Sequence, residues 1–414
     1  MTDFIKAEAA WIDNNHLRHN AIICVENGIV TDILAEHQVE FDSGKPAPTE
    51  VKLLLPGFIN LHAHLEYSFC KGKLPRGRVS FTEWIDAIGV LKRSVSADEV
   101  ITAAQGAVRE LVASGCTTVV DCAHRPEIAH VLAESPLRYA ILWELIALTD
   151  SQAEALWEDV VGKRLLLDKP ARCLGFGLNP HAPYSVGSRL RALLREFLSS
   201  NPQVLVGWHV SETAEEMEFF TSGTGTFREF CTSHQIPAAF DEVPGCTPLE
   251  FLHREHLLEH ADLIYHFNHF TRSDLDLLKS SGLPTIVHCP TTHDYFQRPP
   301  FDLVTLVRAG INVALGTDSL ATADSLSMLE ALRLAAKSYP ALTGPQLLDL
   351  VTRNPARSPA LRDVNPPLGV IARGSAADFV ALDTSCSLER DLREILCHPS
   401  TKVTATFVAG KQAF

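Results

Sequence analysis

The sequence predicts an α/β protein, a (β/α)8 TIM barrel over residues 56–364 with a small β-sandwich built from residues 1–55 and 365–414. Three observations predict it. Eight short β-rich apolar runs alternate with helical stretches from about Phe58 to Pro340, and eight parallel strands close most naturally as a barrel. At 414 residues the chain is too long for one small core and suits a barrel plus an added module. Both ends carry short β-like runs, neither long enough for a core of its own, so they are expected to pair with each other.

In chain order, the first module begins with runs at 21–25 and 29–33, broken by Gly28 and by Asn14-Asn15. The barrel strands are expected at 58–61, 117–121, 138–145, 173–178, 204–210, 263–266, 284–288 and 312–315. Helical periodicity lies between them. Ile101, Ala104, Val108 and Leu111 fall on one helix face after a Ser96 cap and before a Gly115 stop. Leu190, Leu193, Leu194 and Phe197 recur at i, i+3, i+4 and i+7. The tail adds runs at 379–382 and 403–408, punctuated by Gly374 and Gly410. No internal repeat or low-complexity tract is present.

Composition excludes several function classes. With 46% hydrophobic and 21% charged residues the chain is an ordinary globular one. A net charge of −14 argues against nucleic acid as a partner, since phosphate binding needs concentrated Lys and Arg. No apolar run reaches the roughly 18 residues a membrane helix needs, and residues 1–10 are too polar for a secretory signal. Ten cysteines without a CxxC pair suit a reducing compartment. The expectation is a cytoplasmic enzyme acting on a small molecule, away from membranes and nucleic acid, with a homodimer the default assembly.

His62 and His64 stand two apart at the end of the first barrel strand, so period two puts both side chains on one face. With 18 histidines in the chain, about one such pair is expected by chance. The pair gains meaning from its company. His181, His209, His266, His288 and Asp318 fall at or just past the carboxyl ends of the fourth to eighth strands, the rim where barrel enzymes assemble their sites. His62, His64, His209 and Asp318 then supply three imidazoles and a carboxylate, with one position left for water. That is a catalytic donor set for one divalent ion, zinc first and iron second. Such an ion lowers the pKa of its water toward ~7, so hydroxide is available at neutral pH. Asp318 can also accept the water proton. Glu212, three residues after His209, is placed to act as general acid on a ring nitrogen or leaving group, and His266 to orient the hydroxide and stabilise a developing alkoxide.

Other signals weigh less. His256-Leu257-Leu258-Glu259-His260 matches an H-x-x-E-H zinc peptidase pattern, but lies where a barrel puts an outer helix. No P-C-x-x-C, G-x-G-x-x-G or G-K-S/T occurs. His124, past the second strand, reads as pocket wall. A non-catalytic scaffold would have no chemical need for the full ligand set together with Glu212 and His266.

The segment Leu55-Pro56-Gly57-Phe58-Ile59-Asn60-Leu61-His62-Ala63-His64-Leu65-Glu66 resembles the first-strand signature of the amidohydrolase superfamily, in its branch of metal-dependent aminohydrolases. Asn179-Pro180-His181-Ala182-Pro183-Tyr184-Ser185, the His209 to Glu212 stretch, His266 and Gly316-Thr317-Asp318-Ser319 match its later motifs in order and spacing. The tail around Gly374 and Ala377-Asp378 resembles the family's β-sandwich return. The resemblance implies that His181 contacts substrate, helped by Glu66 and His293. Binuclear members carry a bridging lysine at the fourth strand, and residues 173–188 contain none, which implies one metal and deamination of a heteroaromatic ring. Two further stretches are most similar to the deaminases of adenosine-type compounds such as aminodeoxyfutalosine. They are His62-Ala63-His64-Leu65-Glu66-Tyr67-Ser68 and His288-Cys289-Pro290-Thr291-Thr292-His293-Asp294-Tyr295-Phe296, although those relatives often have Arg-Ser where Thr291-Thr292 stands here. The alternative is hydrolysis of another C–N or C–Cl bond, as in guanine and cytosine deaminases, triazine hydrolases or cyclic amidohydrolases. Lys71, Lys73, Arg76 and Arg78, following the first strand, are expected to meet a substrate carboxylate.

Overall fold

A computed structural model describes residues 3–12, 16–39 and 47–414; the Asn14-Asn15 break lies outside them. Four strands precede the first histidine pair: β1 (Asp3–Ile12), β2 (His16–Glu26), β3 (Ile29–Ala35) and β4 (Thr49–Pro56). Eight follow: β5 (Phe58–Ala63), β6 (Cys116–Ala123), β7 (Arg138–Leu145), β8 (Cys173–Pro180), β9 (Gly207–Val210), β10 (Leu263–His266), β11 (Thr285–His288) and β12 (Val313–Leu315). The tail supplies β13 (Phe379–Asp383), β14 (Lys402–Val408) and β15 (Lys411–Gln412).

Strands β5 to β8 form one parallel sheet in sequence order, and β9 to β12 form another. Single parallel bridges join the two at both seams, Leu178 to Val206 and Ala63 to Asp318. Helices separate most successive strands. Two of the strands, β7 and β10, coincide with the runs expected from sequence, and the others shift by one to three residues at their ends. Their residues are almost all buried, which is why they read as continuous apolar runs rather than alternating ones. The helix Ala97–Ala113 starts at Ser96, whose side chain accepts from the Glu99 N–H while the Glu99 carboxylate reaches back to the Ser96 N–H.

The terminal segments do pair, but not as a two-sheet sandwich. They form one seven-stranded sheet in the order β15-β14-β13-β4-β1-β2-β3. The two segments join where β4 pairs with β13, Leu53 opposite Leu382. The sheet curls until the β2–β3 end meets the tail, through a bridge from Ile29 to Ala376 and bonds from Val30 N–H to Ser375 O and Ala377 N–H to Gly28 O. Curling lets a single sheet enclose its own apolar face, with Ile5, Ile23, Val30, Phe379 and Phe407 inside, so no second sheet is needed. Strands β1 and β4 escaped the sequence reading because charged residues interrupt them, Lys6 and Glu8 in one and Glu50 and Lys52 in the other.

The terminal sheet is tied to the parallel strands by a fork. Arg138 Nε and Nη2, at the start of β7, reach Asp378 Oδ2 at 2.7 Å and Oδ1 at 3.3 Å, and Asp378 also accepts from the Ala409 N–H. Both side chains are largely shielded from water. Arg138→Ala would leave the carboxylate buried and uncompensated, at a cost of about 3–5 kcal/mol in urea unfolding. Arg138→Met with Asp378→Leu should recover most of it. A single-variant loss under 1 kcal/mol would show that the fork contributes little.

Candidate active site

The strand ends deliver their polar side chains to one place. His62 lies in β5, with no exposed surface, and its ring stacks on Tyr265 of β10 at 3.9 Å. Two glycines make that packing feasible. A Cβ on Gly207 of β9 would sit 2.3 Å from the Tyr265 hydroxyl, and one on Gly316 would sit 2.8 Å from His62 Cβ. His64 Nε2 approaches His209 Nε2 to 3.3 Å. Asp318 Oδ1 is 3.9 Å from His62 Nε2. The other Asp318 oxygen accepts from the hydroxyls of Thr292 at 3.0 Å and Thr322 at 2.9 Å, which aims Oδ1 inward. Thr292 thus helps hold this carboxylate in place, while its neighbour Thr291 donates to the Thr317 carbonyl.

This donor set fits a divalent cation. His62 Nε2 is buried without a hydrogen-bond partner, and burial holds the His62, His64 and His209 imidazoles neutral, well below or below their ordinary range. Their lone pairs are therefore free to ligate. The far nitrogens are oriented from behind: His209 Nδ1 meets the His181 carbonyl at 2.9 Å, and His62 Nδ1 meets the Cys122 thiol at 3.6 Å. Among the described residues, the groups whose donor atoms all lie within 4.8 Å of one another are His62, His209 and His266, and His62, His64 and Cys122; the expected set of His62, His64, His209 and Asp318 is not drawn that tightly together. The Cys122 grouping draws on a thiol that burial raises well above its ordinary range, a poor ligand unless deprotonated.

Glu212 stands beside the cluster, Oε2 at 3.8 Å from His266 Nε2 and Oε1 accepting from Arg298 Nη2 at 2.8 Å. Burial alone would raise this carboxyl, but His266 and Arg298 outweigh it and hold it down to about 2. Burial also pushes Asp318 up, with Glu212 adding to it, to about 6. His266, lowered to about 3 chiefly by burial, is a neutral imidazole near pH 7. Ser211, His266 and Asp318 take left-handed backbone angles, a strain that concentrates where function fixes a side chain.

A cavity of about 290 Å³ opens over these groups, lined by His64, His181, His209, Glu212, His266 and Asp318. His181 Nδ1 is tied to Ser185 Oγ at 3.0 Å, leaving Nε2 for a ligand. Glu66 and His293 are not on its wall. Glu66 is turned away because its carboxylate accepts the N–H groups of His124 and Arg125, at 3.0 and 2.8 Å. His293 is engaged by Asn268 Oδ1 at 2.9 Å and packs edge-on against His288, which itself stacks on Phe301 at 4.1 Å. The basic segment is likewise occupied elsewhere: Lys71 pairs with Glu110, and Arg76 with Asp294 and Asp324. Lys73 and Arg78 are exposed and off the cavity wall. His256 is exposed with φ 52, outside the helix Pro248–Arg254, so it shares no helix face with His260 and the peptidase pattern dissolves.

Sequence reasoning missed Tyr67, Lys92, Glu144 and Arg298. Glu144 alone carried a signal, as a carboxylate near the end of an otherwise apolar strand. Arg298 lies in a loop with no local pattern, and Lys92 on a helix that is sequence-distant from the strand it faces.

The amidohydrolase family profile matches residues 53–413. Among curated relatives, the 5-methylthioadenosine/S-adenosylhomocysteine deaminase of Thermococcus sibiricus is 27% identical over 379 residues, covering 87% of this chain and 82% of that one. The aminodeoxyfutalosine deaminase of Deinococcus radiodurans is 26% identical over 300 residues, covering 70% and 69%. Among solved structures, Helicobacter pylori aminofutalosine deaminase in complex with methylthio-coformycin superposes with a TM-score of 0.82 at 21% identity, covering 99% of each chain. That likeness shows a shared fold.

Arg298→Met should let burial reassert itself on Glu212. The limb of the pH–kcat/KM profile governed by this carboxylate should then move to higher pH, and an unmoved limb would separate Arg298 from the acid's ionisation.

Proposed function

The chain belongs to the amidohydrolase family, and from that premise we propose that it is a mononuclear metal-dependent aminohydrolase that deaminates an aminopurine nucleoside of the aminodeoxyfutalosine or methylthioadenosine type. One observation carries the reading: neutral His62, His64 and His209 nitrogens and the Asp318 carboxylate converge beside Glu212 and His266 at the floor of a single cavity. The names of the curated relatives support the choice of substrate class. We read the two parallel sheets, bridged at both seams, as one (β/α)8 barrel, and the curled sheet from residues 1–55 and 365–414 as its companion module.

One divalent ion, zinc in the first instance, would be held by His62, His64, His209 and Asp318. When bound it supplies a water acidic enough to be deprotonated near neutral pH. The protein does the rest. Asp318 Oδ1, the oxygen its threonine partners leave free, takes the water's proton as oxygen adds to the amino-bearing ring carbon. Glu212, ionised in the resting site, delivers to the adjacent ring nitrogen a proton it first gains from solvent on substrate binding, and His266 stabilises the oxygen of the tetrahedral intermediate. His181 Nε2 holds the base. Asp318 passes its proton to the amino nitrogen, which leaves as ammonia, and the added hydroxyl gives its proton to Glu212, leaving the oxo product with water's oxygen in place of the amino nitrogen.

Ammonia release from a panel of adenosine, methylthioadenosine, S-adenosylhomocysteine, aminodeoxyfutalosine, guanine and cytosine tests the reaction. Turnover of a nucleoside, lost on chelation and restored by zinc, is expected; silence across the panel with one metal per chain would move the search to other C–N or C–Cl bonds. Glu212→Gln should cut kcat by about 10²–10⁴-fold with metal content and ligand affinity retained. Near-normal kcat would remove Glu212 from the chemistry. His266→Ala should keep its metal where His64→Ala loses it; the opposite pattern would put His266 in the ligand set in place of His64.

A further inference from the structure

The cavity has one polar wall that the proposed chemistry leaves idle. Tyr67, just past β5, stacks on His64 with ring centroids 5.5 Å apart. Its hydroxyl accepts from Lys92 Nζ at 2.9 Å and donates to Glu144 Oε2 at 3.4 Å, while Lys92 Nζ sits 4.7 Å from the ring centroid. Glu144, near the end of β7, is 3% exposed, and its Oε1 lies 3.9 Å from His64 Nδ1. Among the described residues no carboxylate comes within ion-pair distance of Lys92. The rest of this side of the cavity is apolar, with Phe81, Trp84, Ile88, Ile146 and Phe227 on its surface.

We propose that Tyr67, Lys92 and Glu144 form a hydroxyl-recognition wall that holds the sugar of the nucleoside; this rests on the aminohydrolase reading above. Polar groups at an apolar cavity are costly unless paired, and this relay pairs only part of its capacity. Lys92 keeps N–H donors beyond the one given to Tyr67, and Glu144 Oε1 keeps an acceptor site. A vicinal diol offers one donor and one acceptor on neighbouring carbons, so it can satisfy both ends at once. The placement also suits a nucleoside. One tyrosine ring separates Lys92 from a proposed metal ligand, so a base reacting at His64 and His209 would carry its sugar toward this wall. Glu66 cannot substitute, because backbone N–H groups already occupy its carboxylate.

The test compares adenosine with 2′,3′-dideoxyadenosine by calorimetric binding to zinc-loaded Glu212→Gln protein, so that it does not depend on turnover. That protein should prefer adenosine at least ~10-fold, one well-paired hydroxyl interaction or more. Lys92→Met, Tyr67→Phe and Glu144→Gln, each added to it, should bring the ratio toward one, with zinc content and melting temperature unchanged. Equal affinity for the two nucleosides before these changes, or a ratio that survives all three, overturns the proposal. So does a ratio that survives while affinity for a carboxylate-bearing nucleoside falls, since the wall would then read an anion. Hydroxyl-dependent binding with no ammonia from wild-type protein on any nucleoside would sink the deaminase reading and leave the wall standing.

Discussion

His64, just past β5, and His209, in β9, belong to different sheets, yet their Nε2 atoms stand 3.3 Å apart. Two imidazole nitrogens meet this closely only if at least one of them is unprotonated, and a cluster of neutral imidazoles in a buried site is suited to a cation. The arrangement requires the two parallel sheets to meet at both seams. The backbone provides for it: the His209 N–H donates to the His181 carbonyl across one seam, and the Asp318 N–H to the His62 carbonyl across the other. Register at those seams therefore fixes which side chains face inward, and a slip of one residue would turn the cluster away from the cavity.

On the proposed reading, the groups around that floor divide into those that hold the donors, those that move protons and those that select substrate. Cys122, Thr292, Thr322 and the His181 carbonyl sit behind the donors and fix their directions. Glu212 and His266 stand to one side with Arg298 behind the acid. The Tyr67, Lys92 and Glu144 relay lines the cavity beside His64. Most of these groups are buried, and each has a polar partner, which is how a low-dielectric site keeps several charges without unfolding. Glu216 shows the same economy: its carboxylate accepts the Ser211 and Glu212 N–H groups and so sets the turn that aims the acid.

The terminal sheet touches none of this chemistry. Its contribution is mechanical, through the β4–β13 ladder that joins the two terminal segments and the Arg138–Asp378 fork that anchors the sheet to β7. Since β4 runs into β5 with only Gly57 between them, the sheet also fixes where the strand carrying His62 begins.

The sequence by itself determined the strand pattern and the polar residues at the strand ends, because buried parallel strands are short, apolar and sharply bounded, and because His62, His64, His209 and Asp318 interrupt them at recognisable places. It also determined that the two ends pair, since neither could bury a core alone. Tertiary structure decided everything that depends on distant neighbours. It turned Glu66 onto a backbone turn and His293 onto Asn268, both within reach of the cavity by sequence alone. It spent Lys71 and Arg76 on surface ion pairs and brought Lys92 and Arg298 to the cavity and its acid. It also replaced a sandwich by one curled sheet. A side chain's type and its position along a strand are local facts carried by the sequence, whereas its hydrogen-bond partner is set by whichever group the completed fold brings within 3 Å or so.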